Sequence, residues 1–398
     1  MPKLKVENLV KIFGDHPQKA LKLLDEGYSK NEIHEKTKQT VGINKANFEV
    51  NEGEIFVIMG LSGSGKSTLI RCINRLIKST SGSIYLDGED ITKMDKESLR
   101  EVRRKKLGMV FQRFALFPHK TVLENVAYGL EIQGLDKSEQ EKKSREALEL
   151  VGLKGWADSK TNQLSGGMQQ RVGLARALAI EPDILLMDEA FSALDPLIKK
   201  EMQDELLDLH SSMNKTIIFI THDLNEALKL GDRVALMKDG EIVQIDTPEG
   251  ILTNPANDYV AKFVENVDRS RVLTASDVMI KPSAVASLKD GPRVALRKMK
   301  EESISSIFVV DRNKVLQGVV TAEDAVESVE AKETSLTPIL KPHDLQVAPD
   351  TSINEILAII ADAKVPVAVV ENGKLQGVII RGAVLAGLAG GELANVES

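Results

Sequence analysis

The segment Gly60-Leu-Ser-Gly-Ser-Gly-Lys-Ser-Thr68 constrains the fold of this chain more than any other feature. It fits the phosphate-loop pattern G-x-x-x-x-G-K-[S/T], and it lies between an apolar run, Ile55–Met59, and a helical stretch, Leu69–Leu76. Backbone N–H groups of such a loop and of the helix that follows can cradle phosphates. Lys66 brings positive charge to the β- and γ-phosphates of a nucleotide, and Ser67 brings an oxygen ligand for Mg²⁺. The predicted nucleotide-binding residues of the loop are Gly60, Ser62, Gly63, Gly65, Lys66, Ser67 and Thr68.

The first 265 residues alternate between short apolar runs and helical stretches, which predicts an α/β domain at 1–265. The runs Ile55–Met59, Ile184–Met187 and Thr216–Ile220 are bounded by turn or polar residues, as is typical of buried strands in a mainly parallel sheet. Residues 15–40 interrupt this alternation. They are rich in Lys and Glu and have apolar residues at helical spacing, so we expect a helical insertion there.

Two acidic residues end one of these strands, in Ile184-Leu-Leu-Met-Asp188-Glu189. Asp188 can hold Mg²⁺, and Glu189 can polarise an attacking water. By itself the pair also fits solvated acids at the end of a strand, but the phosphate loop favours the catalytic interpretation.

A second candidate anion site lies in Leu164-Ser-Gly-Gly-Met-Gln-Gln-Arg171. Ser165, Gly166 and Gly167 open the helical run Met168–Ala179, and a serine followed by glycines at a helix start can bind an anion. The residues alone leave a simple helix cap as the alternative.

Charge and composition exclude several function classes. The formal net charge of −7 over 398 residues argues against a general nucleic-acid-binding surface. The single cysteine, Cys72, excludes an intramolecular disulfide and a cysteine-based zinc cluster. The apolar runs all fall well short of a membrane span, so we expect no transmembrane segment.

The C-terminal part contains an internal repeat. The segment that begins Phe308-Val-Val-Asp and ends Gly-Val-Val matches the one that begins Ala368-Val-Val-Glu and ends Gly-Val-Ile. Each copy reads as strand, turn, strand and helix, so two packed copies predict one small α/β domain. We therefore expect a linker at 266–272 and two modules at 273–330 and 331–398.

Three motifs, in this order and spacing, resemble those of the ATP-binding cassette (ABC) ATPases. They are the phosphate loop, the segment L-S-G-G-x-Q-Q-R, and four apolar residues followed by D-E. The resemblance covers residues 1–265 and implies an α/β ATPase domain with a helical subdomain. It also assigns further residues. Gln112 resembles the Q-loop glutamine that contacts Mg²⁺ and water, and Asp195 lies in a D-loop-like segment. His222 resembles the switch histidine at the γ-phosphate, and Phe13 stands where an aromatic ring stacks on adenine.

The same resemblance implies a homodimer with two shared sites. Family members pair head to tail, so Ser165, Gly166 and Gly167 of one chain face the ATP that Lys66 of the other chain holds. ATP then joins the two chains, and its hydrolysis releases them.

The repeat resembles a tandem pair of cystathionine-β-synthase (CBS) regulatory modules. In the first copy, Gly318-Val-Val-Thr321-Ala-Glu-Asp324 fits the pattern that holds ribose and phosphate, which makes Thr321 and Asp324 candidate regulatory residues. In the second copy Ile380 and Ala383 stand at those positions, so nucleotide binding by both copies is not expected. Cyclic di-AMP is the candidate ligand that the resemblance suggests.

Over its whole length the chain resembles the ATPase subunits of bacterial glycine betaine/proline betaine importers. This implies ATP hydrolysis coupled to uptake of a quaternary amine, with Mg²⁺ as cofactor. It implies as partners a second copy of the chain and integral membrane permease subunits with a substrate-binding domain or protein, at the cytoplasmic face of the cell membrane. No nucleic-acid partner is expected. An anionic membrane surface is a further candidate partner, and the basic residues considered for it are Lys199, Lys200, Arg297, Lys298 and Lys300.

Two other functions agree less well with the sequence. A soluble cassette ATPase of DNA repair or translation usually carries a long coiled-coil insertion or a second cassette, and Lys66 lies in the only phosphate loop of this sequence. A pure nucleotide-sensing regulator does not need the acid pair of Asp188 and Glu189.

Overall fold

The computed structural model describes residues 1–112, 114–265 and 269–389, without the side chain of Arg271. The chain divides into two compact units, Met1–Glu265 and Asn266–Ser398. The predicted linker at 266–272 and the end of the second predicted module therefore lie partly outside the described residues.

The first unit is built from strands and helices in alternation. Its strands are β1 (Leu4–Phe13), β2 (Thr40–Val50), β3 (Ile55–Met59), β4 (Ser81–Leu86), β5 (Glu89–Asp90), β6 (Leu107–Val110), β7 (Ile184–Asp188), β8 (Thr216–Thr221), β9 (Arg233–Lys238) and β10 (Glu241–Asp246). Its α-helices are α1 (Pro17–Asp25), α2 (Lys30–Thr37), α3 (Lys66–Ile73), α4 (Lys96–Lys105), α5 (Val122–Gln133), α6 (Lys137–Leu150), α7 (Gly166–Ala179), α8 (Pro196–Met213), α9 (Leu224–Leu230), α10 (Pro248–Thr253) and α11 (Asp258–Val264). Short 3₁₀ helices span Lys154–Trp156 and Thr161–Gln163.

A six-stranded sheet in the order β10-β9-β3-β8-β7-β6 forms the centre of this unit. Strands β9, β3, β8, β7 and β6 are parallel, and β10 pairs antiparallel with β9. Strands β3, β7 and β8 are buried on both faces, which explains their unbroken apolar sequences. Because the strands are parallel, Met59, Val110, Asp188 and Thr221 all end at one edge of the sheet.

A second sheet, antiparallel and in the order β2-β1-β4-β5, packs against the first. The rings of Phe48 in β2 and Phe56 in β3 stack with their centroids 5.2 Å apart, and Phe56 is fully buried. Helices α1 and α2 lie between β1 and β2 in the chain. They share a small core with β1 and β2, formed by Val10, Ile12, Ala20, Leu24, Ile33 and Val41.

Helices α5, α6 and α7 contact one another and form the helical subdomain that the resemblance implied. Helix α5 begins at a capping box of Thr121 and Glu124 and ends before Gly134, which adopts the left-handed conformation that glycine tolerates best. Helix α7 also contacts β6 and α8, so it joins this subdomain to the central sheet.

The second unit contains two copies of one small motif. Its strands are β11 (Val285–Ser287), β12 (Ser306–Val310), β13 (Leu316–Thr321), β14 (Gln346–Val347), β15 (Val367–Glu371) and β16 (Lys374–Ile379). Its helices are α12 (Ala275–Val278), α13 (Pro292–Glu301), α14 (Ala322–Glu330), α15 (Ile353–Ile360) and α16 (Arg381–Ala389), with 3₁₀ helices at Arg269–Arg271 and Thr337–Ile339. Each copy has a three-stranded sheet, β11-β12-β13 or β14-β15-β16, with one parallel and one antiparallel pair.

The two copies exchange their leading segments. Leu273, Ala275 and Val278 precede the first copy, yet they pack in the core of the second. Leu336 precedes the second copy and packs in the core of the first. Neither copy therefore completes its own hydrophobic core alone, and the pair forms a single folded body.

Candidate nucleotide-binding and hydrolysis site

The phosphate loop connects β3 to α3, and its glycines are required by the backbone. Gly60, Gly63 and Gly65 have φ angles of 151°, 80° and 106°, which L side chains rarely adopt. A Cβ on Gly60 would lie 2.2 Å from the carbonyl oxygen of Met237, and one on Gly65 would lie 2.3 Å from that of Gly42. The loop therefore packs closely against the backbone of neighbouring segments. Its N–H groups can bind an anion.

Lys66, the first residue of α3, points back into this loop. Its side chain is buried, and its Nζ donates hydrogen bonds to the carbonyl oxygens of Gly60 (2.8 Å) and Leu61 (3.1 Å). Burial lowers the pKa of Lys66, while Glu189 and Asp188 act in the opposite direction. Phosphate oxygens are stronger partners for this ammonium than two neutral carbonyls, so the loop is suited to bind a phosphate.

Ser67 and Asp188 place two oxygen ligands side by side. The Ser67 Oγ donates a hydrogen bond of 2.9 Å to Asp188 Oδ1, and Asp188 is 4% exposed. A hydroxyl and a carboxylate are oxygen ligands that suit Mg²⁺. Among the described residues, no cluster of three or more His, Cys, Asp or Glu side chains could hold a metal. The pair thus fits an ion that takes its remaining ligands from phosphates and water, as Mg²⁺ does at nucleotide sites.

Glu189 lies at the meeting point of three strand ends. Its Oε2 accepts a hydrogen bond of 3.0 Å from Gln112 Nε2 and lies 3.4 Å from His222 Nδ1. Its backbone N–H donates to the carbonyl of Ile220 at 3.0 Å, and its φ of 49° places it in the left-handed region. Such backbone conformations cost energy and are concentrated at functional sites.

The segment 192–195 lies beside this group. Ser192 Oγ donates to the carbonyl oxygen of Glu189 (2.9 Å) and accepts from Gln112 Nε2 (3.3 Å). Asp195 caps helix α8 by accepting from the N–H groups of Leu197 and Ile198.

Ser165 and Gly166 are not part of this group. They are exposed at the start of α7, where Ser165 Oγ accepts from the N–H of Met168 at 3.3 Å. Gly167 is buried, and a Cβ there would lie 2.5 Å from Ile198 of α8. In the part of the chain that the structure describes, the hydrogen bonds of this segment do not reach the phosphate loop.

The remaining predicted residues lie around the loop. Phe13, at the end of β1, is 39% exposed, and Lys11 Nζ lies 4.9 Å from its ring centroid. A Cβ on Gly42 would lie 2.8 Å from the Phe13 ring and 3.4 Å from Thr68 Cγ2, so the ring lies next to α3. Ser62 is exposed on the loop.

Sequence reasoning missed one residue at the loop. Arg71 Nη2 lies 3.5 Å from Asp188 Oδ2. Because Arg71 is four residues after Ser67 on α3, helical spacing could have indicated that both side chains reach the same carboxylate.

In the second unit, Thr321 and Asp324 are hydrogen-bonded to each other. Thr321 caps α14 and donates to Asp324 Oδ2 at 2.6 Å. Lys341 Nζ lies 2.8 Å from Asp324 Oδ1 and 2.6 Å from Oδ2, and Lys341 and Thr321 hold the pKa of Asp324 below its ordinary value. The segment that leads into the second copy supplies Lys341, which no local pattern indicated.

The second copy has apolar residues at all three equivalent positions. Val319 pairs with Lys341, and the equivalent Val378 pairs with Ile280. Thus Ile280, Ile380 and Ala383 replace Lys341, Thr321 and Asp324. The asymmetry that the sequence predicted from two positions extends to a third.

Three of the basic candidates for a membrane surface are paired with acidic side chains of the same chain, and one of them is Arg297, whose Nε lies 3.7 Å from Glu301 Oε1. Lys199 Nζ lies 2.6 Å from Asp223 Oδ2, and Lys298 Nζ lies 2.9 Å from Asp290 Oδ2. Among the described residues, no helix combines the length and apolar character needed to cross a bilayer.

Comparison with known families agrees with this architecture. A family model described as ABC transporter matches residues 43–192, and one described as CBS domain matches residues 275–331 and 339–390.

Relatives similar to this chain along its full length are also known. The chain is 58% identical over 398 residues to the glycine betaine/carnitine transport ATP-binding protein of Listeria monocytogenes, with 100% of each chain covered. It is 59% identical over 397 residues to the glycine betaine transport ATP-binding protein of Bacillus subtilis, covering 99% of this chain and 94% of the relative. A solved dimeric ATP-binding cassette in a post-hydrolysis state, bound to ADP and Pi, superposes with a TM-score of 0.53 at 34% identity. That match covers 62% of this chain and 98% of the cassette, and it confirms the predicted fold class of the first unit.

Proposed function

The chain belongs to the ABC transporter ATP-binding proteins that carry paired CBS domains, and from this membership we propose that it hydrolyses ATP to energise uptake of glycine betaine or a related quaternary amine. One observation carries the hydrolytic part of the proposal. Lys66, the pair of Ser67 and Asp188, and the group of Gln112, Glu189 and His222 meet at one edge of a parallel sheet.

Different residues of the chain bind different parts of ATP. Phe13 stacks on the adenine, and the N–H groups of the loop from Gly60 to Thr68 bind the phosphates with Lys66. Ser67, Asp188 and the side-chain oxygen of Gln112 would hold Mg²⁺. When bound, the ion neutralises the charge that develops on the phosphates.

Glu189 and His222 serve the chemical step. Glu189 polarises a water for attack on the γ-phosphate, since its carboxylate lies at the strand edge beside Asp188. His222 binds the γ-phosphate beside this carboxylate, since its Nδ1 lies 3.4 Å from Glu189 Oε2. Gln112, which donates to the same oxygen, fixes the orientation of the carboxylate.

We infer that each complete site needs two chains. Ser165, Gly166 and Gly167 belong to the signature motif but do not reach the loop of their own chain, and Ser165 and Gly166 are exposed. In a head-to-tail homodimer they close the ATP site of the other chain. Asp195 and its segment lie at the same interface. The cassette that superposes on this chain is dimeric, which supports this arrangement.

The proposed partners are integral membrane permease subunits with a substrate-binding domain or protein, which place the chain at the cytoplasmic face of the membrane. The transport names of the relatives support this over DNA repair or translation. An anionic membrane surface is less well supported, because Lys199 and Lys298 are already paired. We propose no nucleic-acid partner.

Purification from native membranes tests the transport assignment. We expect integral membrane subunits to co-purify with the chain and glycine betaine to stimulate its ATPase activity. A chain that purifies alone and whose ATPase responds to DNA or ribosomes but not to the amine would contradict the proposal.

The CBS pair is the proposed regulator. Residues that precede each copy pack in the core of the other copy, which supports treating the pair as one regulator. The limits of the two modules, 273–330 and 331–398, remain predictions. Asp324 and Thr321 can bind ribose hydroxyls, and Lys341 can leave Asp324 to bind a phosphate. The apolar Ile280, Ile380 and Ala383 of the other copy cannot. A mononucleotide should therefore bind at most once per chain, whereas cyclic di-AMP could be shared between two chains on a two-fold axis.

Calorimetric titration of the full chain carrying Lys66→Ala tests this asymmetry. We expect at most one AMP per chain and one cyclic di-AMP per two chains. Asp324→Asn should weaken AMP binding by about tenfold to a hundredfold, the cost of a hydrogen bond to a charged group. The exposed Asp362 of the second copy offers a control, and Asp362→Asn should leave the affinity unchanged. Two AMP molecules per chain would refute the asymmetry, and one cyclic di-AMP per chain would refute the shared site.

A further inference from the structure

Helix α8 links the segment 192–195 to the segment that carries His222. Asp195 caps the helix through the N–H groups of Leu197 and Ile198. In the first turn of the same helix, Lys199 extends toward α9. Its Nζ donates to Asp223 Oδ2 at 2.6 Å and lies 3.2 Å from Glu226 Oε1.

The segment that Lys199 contacts is closed by hydrogen bonds of its own. Asp223 follows His222 directly, and its N–H donates to Thr221 Oγ1 at 2.9 Å. Thr221 Oγ1 in turn donates to Glu226 Oε2, and Asp223 Oδ1 caps α9 by accepting from the N–H of Asn225 at 2.9 Å. These hydrogen bonds connect residues 221–226 to one another. A displacement of Asp223 is therefore expected to displace the backbone of His222 as well.

The link from α8 to this segment is partly buried, with side-chain exposures of 20% for Lys199 and 33% for Asp223. Glu226 is 3% exposed, and it also accepts a hydrogen bond of 3.3 Å from Gln203, one turn further along α8. Burial acts against the charge on Lys199, but Asp223 and Glu226 outweigh it and raise the pKa of Lys199, so the amine stays protonated. Hydrogen bonds between charged groups are shorter and stronger than those between neutral groups.

The imidazole of His222 is held far more loosely. Its side chain is 55% exposed, and its contact with Glu189 is 3.4 Å long. The position of the ring therefore depends mainly on the backbone of residues 221–226. Contacts that fix this backbone relative to Glu189 also fix the position of the imidazole.

We propose that Lys199 is a positioning residue that couples the segment 192–195 to His222 through Asp223. When a second chain packs against this segment, α8 shifts and Lys199 carries the shift to the histidine. The hydrolysis step then depends on the dimer interface even though Lys199 touches neither ATP nor water. The inference rests on the role proposed for His222.

Single-turnover hydrolysis in the assembled transporter tests the coupling. Lys199→Met keeps most of the apolar stem and removes the charge. We expect the hydrolysis rate per ATP-loaded site to fall by about tenfold to a hundredfold, as for other small misplacements of a catalytic group, while the ATP dissociation constant stays the same. Lys199→Arg should restore most of the rate, because a guanidinium can also reach Asp223 and Glu226.

Two comparisons separate positioning from a structural role. Lys200→Met alters the exposed neighbour on the same helix and should change the rate by less than about twofold. Loss of stability alone would reduce the fraction of loaded sites and the melting temperature, but not the rate at each loaded site. If the rate per loaded site of Lys199→Met stays within about twofold of the unmodified chain, the inference is wrong.

The test also distinguishes this inference from the proposed function. If His222→Ala hydrolyses ATP normally, the role of His222 fails, and the coupling fails with it. If His222→Ala is inactive while Lys199→Met is normal, only the coupling fails.

Discussion

A chain carrying Glu189→Gln is expected to hydrolyse ATP more slowly by a factor of about 10² to 10⁴, the usual cost of losing a general base. The amide keeps the size of the side chain but cannot take a proton from water. ATP binding should persist, because Lys66 and Ser67 are unchanged and their contacts with the loop and Asp188 do not involve Glu189. If hydrolysis releases the two chains, as the family resemblance implies, the ATP-bound dimer should accumulate.

Steady-state ATPase assays and size-exclusion chromatography with ATP measure both effects. Glu146→Gln makes the same chemical change on the exposed surface of α6 and should alter the rate by less than about twofold. An ATPase rate for Glu189→Gln within about threefold of the unmodified chain would show that another group activates the water.

Lys66→Ala should act at the earlier step and weaken nucleotide binding by about tenfold to a hundredfold, because it removes a charged donor from the phosphates. The loop should keep its path, since that path is set by Gly60, Gly65 and their close neighbours. Equilibrium binding of a fluorescent ATP analogue measures the loss. Lys142→Ala, on the exposed face of α6, removes a lysine without touching the site and should bind ATP normally. If Lys66→Ala bound the ATP analogue with unchanged affinity, Lys66 would not contribute to nucleotide binding.

The same variant shows whether each site is shared. A mixed dimer of one Lys66→Ala chain and one Ser165→Arg chain should retain one intact site and one site damaged on both faces. About half of the ATP occlusion of the unmodified dimer should survive. If Ser165 served its own chain instead, both sites would be half-damaged and occlusion would be lost evenly.

Much of the site was predictable because parallel strands gather their carboxyl ends. The phosphate loop and the strand ending in two acids predicted roles for Lys66 and Asp188, and the family resemblance assigned His222. The structure brings the three residues to one edge of the sheet. The predicted α/β class, the helical subdomain and the CBS repeat are confirmed. The roles of the individual residues remain proposals.

The residues that sequence reasoning missed are those whose partners come from another element. Lys199 meets Asp223 only because α8 packs beside α9, and Lys341 reaches Asp324 only because the two CBS copies exchange segments. Neither contact leaves a periodicity or motif in the chain. For that reason the sequence suggested only a membrane surface for Lys199 and did not single out Lys341.

The central claim is that ATP hydrolysis by this chain drives import of a quaternary amine. Transporter reconstituted in liposomes, with its ATPase subunits facing added ATP and Mg²⁺, provides the most direct measurement. Uptake of radiolabelled glycine betaine against its gradient should require ATP in the unmodified complex and should fall to background with Glu189→Gln. Uptake that continues with Glu189→Gln, or ATP hydrolysis by the intact complex without any amine uptake, would contradict the account.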